Sequence, residues 1–260
     1  MEFDTLEVNV DGSRGSLTLD NPDRLNPLSS HCLREIAAAA RWFDTHDDLK
    51  VVVVTGRGRA FSAGADVSAF EPGGAAQDMH PRDDADAGRL MAEAMEAMRA
   101  VTVARINGAC VGGGLVLAAA CDLRVAVDDA VMFIPEIDLG IPLAWGGIPR
   151  LVREIGPTLT KELVMTCRRF TPEEARSLGF LNRVVPADRL DAEVEELVEC
   201  LVEKPRHPVQ ATKRHVNAVT ATMVGVDRAW SDVDSLMVAL RDPEGRESAR
   251  RYLSRMRNKN

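Results

Sequence analysis

The stretch that most limits how this chain can fold runs from Asn107 to Asp122, NGACVGGGLVLAAACD. It passes from Asn-Gly through Gly112-Gly113-Gly114 into an apolar run with almost no side-chain bulk. Glycine tolerates positive φ and lets other groups come close to the main chain. The run therefore reads as a tight turn that opens a buried helix and delivers first-turn N–H groups into a pocket. Two uses are open at this point: a turn that only packs a helix closely against a sheet, or one that offers main-chain donors to a ligand.

A second stretch shares this design. Lys50 to Thr55, KVVVVT, is a short β-branched run of the kind found in strands buried on both faces. The loop after it holds Ser62-Ala63-Gly64-Ala65-Asp66, small residues followed by a helix start expected at Asp66. Earlier, Leu6 to Val10 and Ser16 to Leu19 alternate around Asp11-Gly12, which predicts a hairpin with a type I′ turn. Ser29 or Ser30 is placed to cap a helix through Ile36 and Trp42. Residues 71 to 86, rich in Gly, Ala, Pro and charge, read as a mobile loop of a length often used for lids or pocket walls.

Leu90, Ala94, Met95 and Met98 recur at helical spacing, Val101 to Ile106 reads as a strand, and two short strands follow at Leu123 to Val127 and Val131 to Ile134. Thr171-Pro172-Glu173-Glu174 combines a cap, a proline at the first helical position and acidic residues. Phe180 to Val185 reads as the last strand, Leu190 to Val202 as an amphipathic helix, and three helical patterns come after Lys204-Pro205. Strand-loop-helix units repeated in this way predict an α/β architecture in which several turns converge on one site.

Composition removes several functions. A net charge of -8 leaves no basic excess to neutralise phosphates, so no nucleic-acid partner is expected. The five cysteines are scattered and never form Cys-x-x-Cys, which disfavours zinc or a disulfide framework and fits a reducing cytoplasm. The N-terminus lacks the pattern of a secretory signal, and the longest apolar stretch is too short and glycine-rich to span a bilayer, so no membrane is expected. Gly56-Arg57-Gly58-Arg59 lacks the last glycine of a dinucleotide fingerprint, and no Walker lysine follows a glycine-rich loop. No serine sits in a Gly-x-Ser-x-Gly elbow. The five histidines lie singly, and His80 reads as a surface residue, so no metal and no separate cofactor are expected.

What remains is AFSAGADV, NGACVGGGLVLAAACDLRVA and FIPEIDLGIPLAWGG in that order, with DNPDRLNPLS before them and FTPEEARSLGFLNRVVP and DPEGRESARRYL after. Together these resemble the crotonase, or enoyl-CoA hydratase/isomerase, superfamily over nearly the whole chain. The resemblance implies an α/β spiral of β-β-α turns over residues 1–204 and a C-terminal helical trimerisation region over 205–260. It also implies a homotrimer or a dimer of trimers. The implied substrate is an acyl-CoA thioester, with CoA part of the substrate, whose carbonyl oxygen lies between the backbone N–H groups of Ala65 and Gly113. Removing a proton next to a thioester builds charge on that oxygen, and one pre-aimed donor is typically worth about 3 to 4 kcal/mol.

Family members that hydrate enoyl-CoA use two glutamates. The first falls here on Val116, which has no acid or base; the second is Glu136. The isomerases of the family are similar in having an aliphatic residue at the first position. A single base is enough to move a double bond from Δ3 to Δ2, and Ile134, Ile137 and Leu143 are expected as apolar neighbours that raise its pKa. The alternatives are a hydratase in which Asp138 or ordered water replaces the missing glutamate, and a catalytically degenerate CoA-binding protein. A decarboxylase also stays open, whereas a dehalogenase is disfavoured because its aspartate would fall near Ala144. The resemblance places Arg24, Asn26, Ala63, Asp66 and Val67 against CoA, with Arg24 as a phosphate partner and Asn26 a departure from the usual alanine. Lys213 or the basic C-terminal helix is a further phosphate candidate, and Trp145 and Val116 are candidates to line the acyl pocket.

Overall fold

After an opening hairpin, three turns of this fold each feed two sheets in succession. In the computed structural model, which describes residues 2–66, 80–226, 229 and 231–257, β1 (Leu6–Asp11) and β2 (Arg14–Leu19) pair antiparallel. The chain then passes through α1 (Ser30–Phe43) to β3 (Val51–Gly56), which pairs parallel with β2. From there a long strand, a short strand and a helix recur: β3, β4 (Ala60–Ser62) and α2 (Pro81–Ala97), then β5 (Val101–Ile106), β6 (Ala109–Val111) and α3 (Gly113–Ala119). A third pair, β7 (Leu123–Val127) and β8 (Met132–Phe133), precedes α4 (Gly147–Thr166) and α5 (Pro172–Ser177). With β9 (Arg183–Val185), the long strands form a six-stranded sheet in the order β1-β2-β3-β5-β7-β9, and the short ones a parallel sheet β4-β6-β8. This is the expected spiral.

The local chemistry explains the elements. The valines of β3 lie between β2 and β5, and Val51, Val52 and Val54 are buried, as a central parallel strand requires. Ser29 caps α1 by accepting from the Cys32 N–H at 3.2 Å, and Thr171 caps α5 by accepting from the Glu174 N–H at 3.1 Å. Phe180 and Leu181 are core residues, and their N–H groups close the end of α5 by donating to the Ala175 carbonyl. The last strand is therefore shorter than the apolar run, starting at Arg183.

Two other expectations are corrected. The hairpin turn is Gly12-Ser13, and of the pair only Gly12 has positive φ (57°), so it is not type I′, which needs positive φ at both central residues. The segment read as loop up to Asp86 is helical from Pro81. His80 is its exposed N-cap, Pro81 opens the first turn and Asp83 and Asp84 follow, the usual signals of a helix start. Residues 71–79 lie outside the described residues, as does the chain after Asp66 where a helix start was expected. Leu90 is 47% exposed, and the buried side of α2 is formed instead by Ala87, Gly88, Met91, Ala92 and Met95.

The C-terminal part is helical, with α6 (Leu190–Val202) leading into α7 (Arg206–Met223), α8 (Asp232–Ala239) and α9 (Pro243–Arg257). Only Lys213 of α7 is buried, and a cleft of about 610 Å³ separates that helix from the core. Lys213 donates to the Ala100 carbonyl at 2.8 Å and pairs with Asp122 at 2.7 Å, so it does not serve as a phosphate contact. No described helix is long and apolar enough to cross a membrane.

Asn26 is the main internal tie near the site. It is 1% exposed with φ 55°; its Nδ2 donates to the carbonyls of Arg57 and Ala60 at 3.0 and 2.9 Å, and its Oδ1 accepts from the Asn21 N–H at 3.0 Å. Gly56 makes room for it, since a Cβ there would lie 2.5 Å from Nδ2. Asn26→Ala leaves these buried groups unpaired and keeps the positive φ, so urea denaturation is expected to show a loss of about 2 to 4 kcal/mol.

Candidate active site

The three short strands end at the three places where the chemistry gathers. After β4, Ser62 Oγ donates to the Asn26 carbonyl at 2.8 Å and accepts from the Gly64 N–H at 3.1 Å. The Ala63 N–H donates to the Leu25 carbonyl at 2.8 Å. Leu28 then brackets Ala65 in a parallel bridge: its N–H donates to the Gly64 carbonyl at 2.8 Å, and its carbonyl accepts from the Asp66 N–H at 3.2 Å. In a parallel bridge the bracketed residue turns its own N–H away from the partner. The Ala65 N–H has no acceptor among the described residues.

After β6, the Gly112 N–H donates to the Phe133 carbonyl at 3.0 Å, and Gly112 takes φ 48° and ψ -114°, a conformation open to glycine. Its carbonyl receives the N–H groups of Leu115 and Val116, which starts α3 and leaves the Gly113 N–H without an acceptor among the described residues. Gly64 and Gly113 touch: a Cβ on Gly64 would lie 3.2 Å from the Gly113 nitrogen. The two unused donors predicted from sequence are thus brought together by glycines on adjoining turns.

After β8, Pro135-Glu136 enters a turn whose Leu139 and Ile141 N–H groups donate back to the carbonyls of Pro135 and Glu136 at 3.0 and 2.9 Å. The Glu136 side chain lies over Gly112, where a Cβ would sit 2.4 Å from Oε1. Glu136 is 8% exposed, and its Oε2 is buried with no hydrogen-bond partner among the described residues. Burial away from water pushes its carboxyl up to about 7, against a small opposing influence from its own backbone N–H. Of the three expected apolar neighbours, Ile134 and Leu143 are buried, while Ile137 is 44% exposed and so is no part of a packed wall.

The remaining predicted residues divide. Val116 is buried in the core, packed toward Gly147, where a Cβ would meet its Cγ2 at 2.9 Å. Trp145 lies against Gly113, where a Cβ would be 2.3 Å from its ring. Arg24 and Asp66 make a two-pronged ion pair at 2.9 and 3.1 Å beside the Ala65 turn, with the arginine largely exposed. Ala63 is half-buried in the same turn, and Val67 lies outside the described residues. The Asn26 side chain is corrected from a CoA contact to an internal tie, because both its donors and its acceptor are used within the protein. Asp138 is exposed two residues from the buried Glu136, and its carbonyl accepts from Ser248 at 2.9 Å.

Sequence reasoning missed how the Trp145 turn is held. The Gly146 N–H donates to Asp232 at 2.9 Å, and Arg150 donates to the Gly146 carbonyl at 3.1 Å and to Glu96 at 2.5 Å. It also missed Gly88, a glycine inside α2 whose Cβ would lie 2.1 Å from the Trp145 ring. A glycine inside a helical pattern costs about 1 kcal/mol relative to alanine, and that was the available signal. The 610 Å³ cleft under α7 has none of Ala65, Gly113 or Glu136 in its lining.

Two donors without acceptors, one buried carboxyl and a small-residue turn on each side are suited to stabilising a carbonyl oxygen while a proton is moved next to it. Comparison with known proteins gives the family. A family model described as enoyl-CoA hydratase/isomerase matches residues 12–258. A probable enoyl-CoA hydratase of Mycobacterium bovis is 34% identical over 217 residues, covering 84% of this chain and 82% of the relative. A crotonyl-CoA hydratase of Syntrophomonas wolfei is 28% identical over 257 residues, 98% of this chain and 97% of the relative. The crystal structure of an enoyl-CoA hydratase from Mycobacterium avium subsp. paratuberculosis superposes with a TM-score of 0.86 at 27% identity, covering 96% of this chain and 99% of that one. The chain therefore belongs to the enoyl-CoA hydratase/isomerase family.

Proposed function

We propose that this family member moves a double bond in an acyl-CoA thioester from Δ3 to Δ2, with Glu136 as the only acid-base group. The observation that carries this reading is Glu136, the one buried carboxyl among the described residues, beside the two donors without described acceptors, with Val116 rather than a second carboxyl on α3. In the proposed reaction the Glu136 carboxylate takes a proton from C2. The electron pair moves onto the thioester oxygen, held by the Ala65 and Gly113 N–H groups. Protonated Glu136 then returns the proton at C4, the double bond settles between C2 and C3, and no other reactant is consumed.

Hydration is the second reading, favoured by the names of the relatives. It needs another group to handle water, and the exposed Asp138 is the candidate. A degenerate CoA-binding protein is opposed by the burial and raised pKa of Glu136, a costly arrangement with no evident use in binding alone. CoA recognition is assigned to the Arg24–Asp66 edge and the turn from Ala63 to Val67. Residues 205–260 are proposed to build a homotrimer or a dimer of trimers, supported by the exposed Val216, Val219 and Met223 along α7, the last 75% exposed. Sedimentation equilibrium is expected to give a trimer or hexamer mass, and a monomer would remove this assignment.

The reaction is tested by offering purified protein 3-enoyl-CoA and 2-enoyl-CoA thioesters and following bond migration and hydration separately. Glu136→Gln is expected to lower kcat/KM for migration by about 10²- to 10⁴-fold. Efficient hydration that survives this substitution would sink the proposal. Because the ionised form is the base, kcat/KM should rise with pH and level off above about 7.

The same carboxyl makes a stability prediction of definite sign. Its folded pKa is raised from 4.5 to about 7, so its favourable contribution is complete below 4.5 and is lost as pH rises through 7. That rise corresponds to about 3 kcal/mol. Glu136→Gln, which cannot ionise, should gain stability relative to the parent by up to about this amount between acidic and mildly alkaline pH, read from denaturation midpoints.

A further inference from the structure

The indole of Trp145 is seated between two helices, α2 and α3, next to one of the two donors without described acceptors. Two glycines on different helices are shaped to it: a Cβ on Gly88 in α2 would lie 2.1 to 2.3 Å from three ring atoms, and one on Gly113 in α3 would lie 2.3 Å from another. Gly88 is a buried residue in the interior of a helix, where alanine is better by about 1 kcal/mol if the space allows it. Trp145 itself has φ 60° and the next residue, Gly146, has φ 67°, so the chain accepts two successive left-handed residues to put the ring there. A non-glycine residue in that region is disfavoured by about 1 to 2 kcal/mol.

The turn is also clamped from three sides. Asp232, at the start of α8, accepts from the Gly146 N–H; Arg150 of α4 holds the Gly146 carbonyl; and Glu96 of α2 joins Arg150 to Arg153. The ring packs against both apolar clusters, the large core and the smaller group of Leu139, Ile141, Ala144 and Leu236 that follows the Glu136 turn. It is half-buried, and three atoms of its six-membered ring lie closest to Gly113, the residue whose N–H has no acceptor among the described residues. A large flat side chain held this firmly acts as a wall.

We infer that Trp145 closes the far end of the acyl pocket and makes this chain selective for short acyl groups, as a specificity-determining residue. The inference rests on the placement of the thioester oxygen at Ala65 and Gly113. With the oxygen there and C2 under Glu136, an acyl chain continuing past the reacting carbons meets the indole. A short chain ends in contact with the ring; a long one has to displace a side chain that Gly88, Gly113 and the Gly146 clamp all hold. One methylene too many in a well-packed pocket is worth about 10- to 200-fold in discrimination, so a rigid wall gives a steep cut-off.

The test compares binding of two unreactive probes, butyryl-CoA and dodecanoyl-CoA, by calorimetry to the parent protein, Trp145→Phe and Trp145→Ala. Thermal unfolding and oligomer mass are measured on each. The parent is expected to bind butyryl-CoA more tightly by about tenfold or more. Trp145→Ala should reverse the preference, and Trp145→Phe should move it part of the way. Trp145→Phe alone decides the matter if the alanine variant does not fold. Dodecanoyl-CoA binding the parent as tightly as butyryl-CoA, or a folded variant with the parent's ratio, would overturn the inference. Because the probes cannot react, their binding is independent of the isomerase assignment. Parent protein that selects butyryl-CoA but does not turn over but-3-enoyl-CoA leaves the wall standing and removes the reaction. Turnover with an unaltered chain-length ratio in the variants does the reverse. Failure of both probes to bind the parent protein removes both.

Discussion

Everything at this site depends on how Leu28 pairs with the turn after β4. By taking the Gly64 carbonyl and the Asp66 N–H, it leaves the one N–H between them turned away and without an acceptor among the described residues. Ala65 is half-buried, and Asn26, Ser62 and Gly56 lock the turn so that its N–H keeps this aim. The Gly113 N–H is freed in a different way, by the positive φ of Gly112 and the start of a helix, and Gly64 brings the two together. Donors fixed before the substrate arrives need no reorganisation when charge develops on the oxygen.

The same logic extends to Glu136. Its carboxyl is held against Gly112 with no hydrogen-bond partner for Oε2 among the described residues, so the ionised form is penalised and its affinity for protons is raised toward neutral pH. Gly112 thus has two roles. It aims the first donor of α3, and its missing Cβ makes the space in which the proposed base, Glu136, rests. Stability and chemistry are opposed at this residue pair, a common condition of sites that need a misfit group.

Much of this was legible in the chain, for reasons that differ from one element to the next. The valines of β3 and the cap at Thr171 follow from local physics and appear where expected. The two glycine-bearing turns and Pro135-Glu136 were readable because few residue types permit such backbone, and their order matches a known family. What was not legible depended on contacts distant in sequence. Asn26 read as a ligand contact, yet Arg57 and Ala60 use its amide. Lys213 read as a possible phosphate partner, and Asp122 claims it. Gly88 passes unnoticed in its helical pattern, and only the Trp145 ring packed on it shows why it is glycine. In each case the sequence shows the group but not the neighbour that uses it.

The inner sheet has a further consequence for dynamics. Its strands β4, β6 and β8 are only two or three residues long, and their pairing is brief compared with the outer ladders of β1, β2, β3 and β5. Segments held by few hydrogen bonds open locally at lower free energy than the body they belong to. The spiral can therefore lose the alignment of the three segments that carry the candidate site, and regain it, without unfolding. Amide exchange in β4, β6 and β8 would then report the lifetime of the competent site, while exchange in the outer sheet reports the lifetime of the fold.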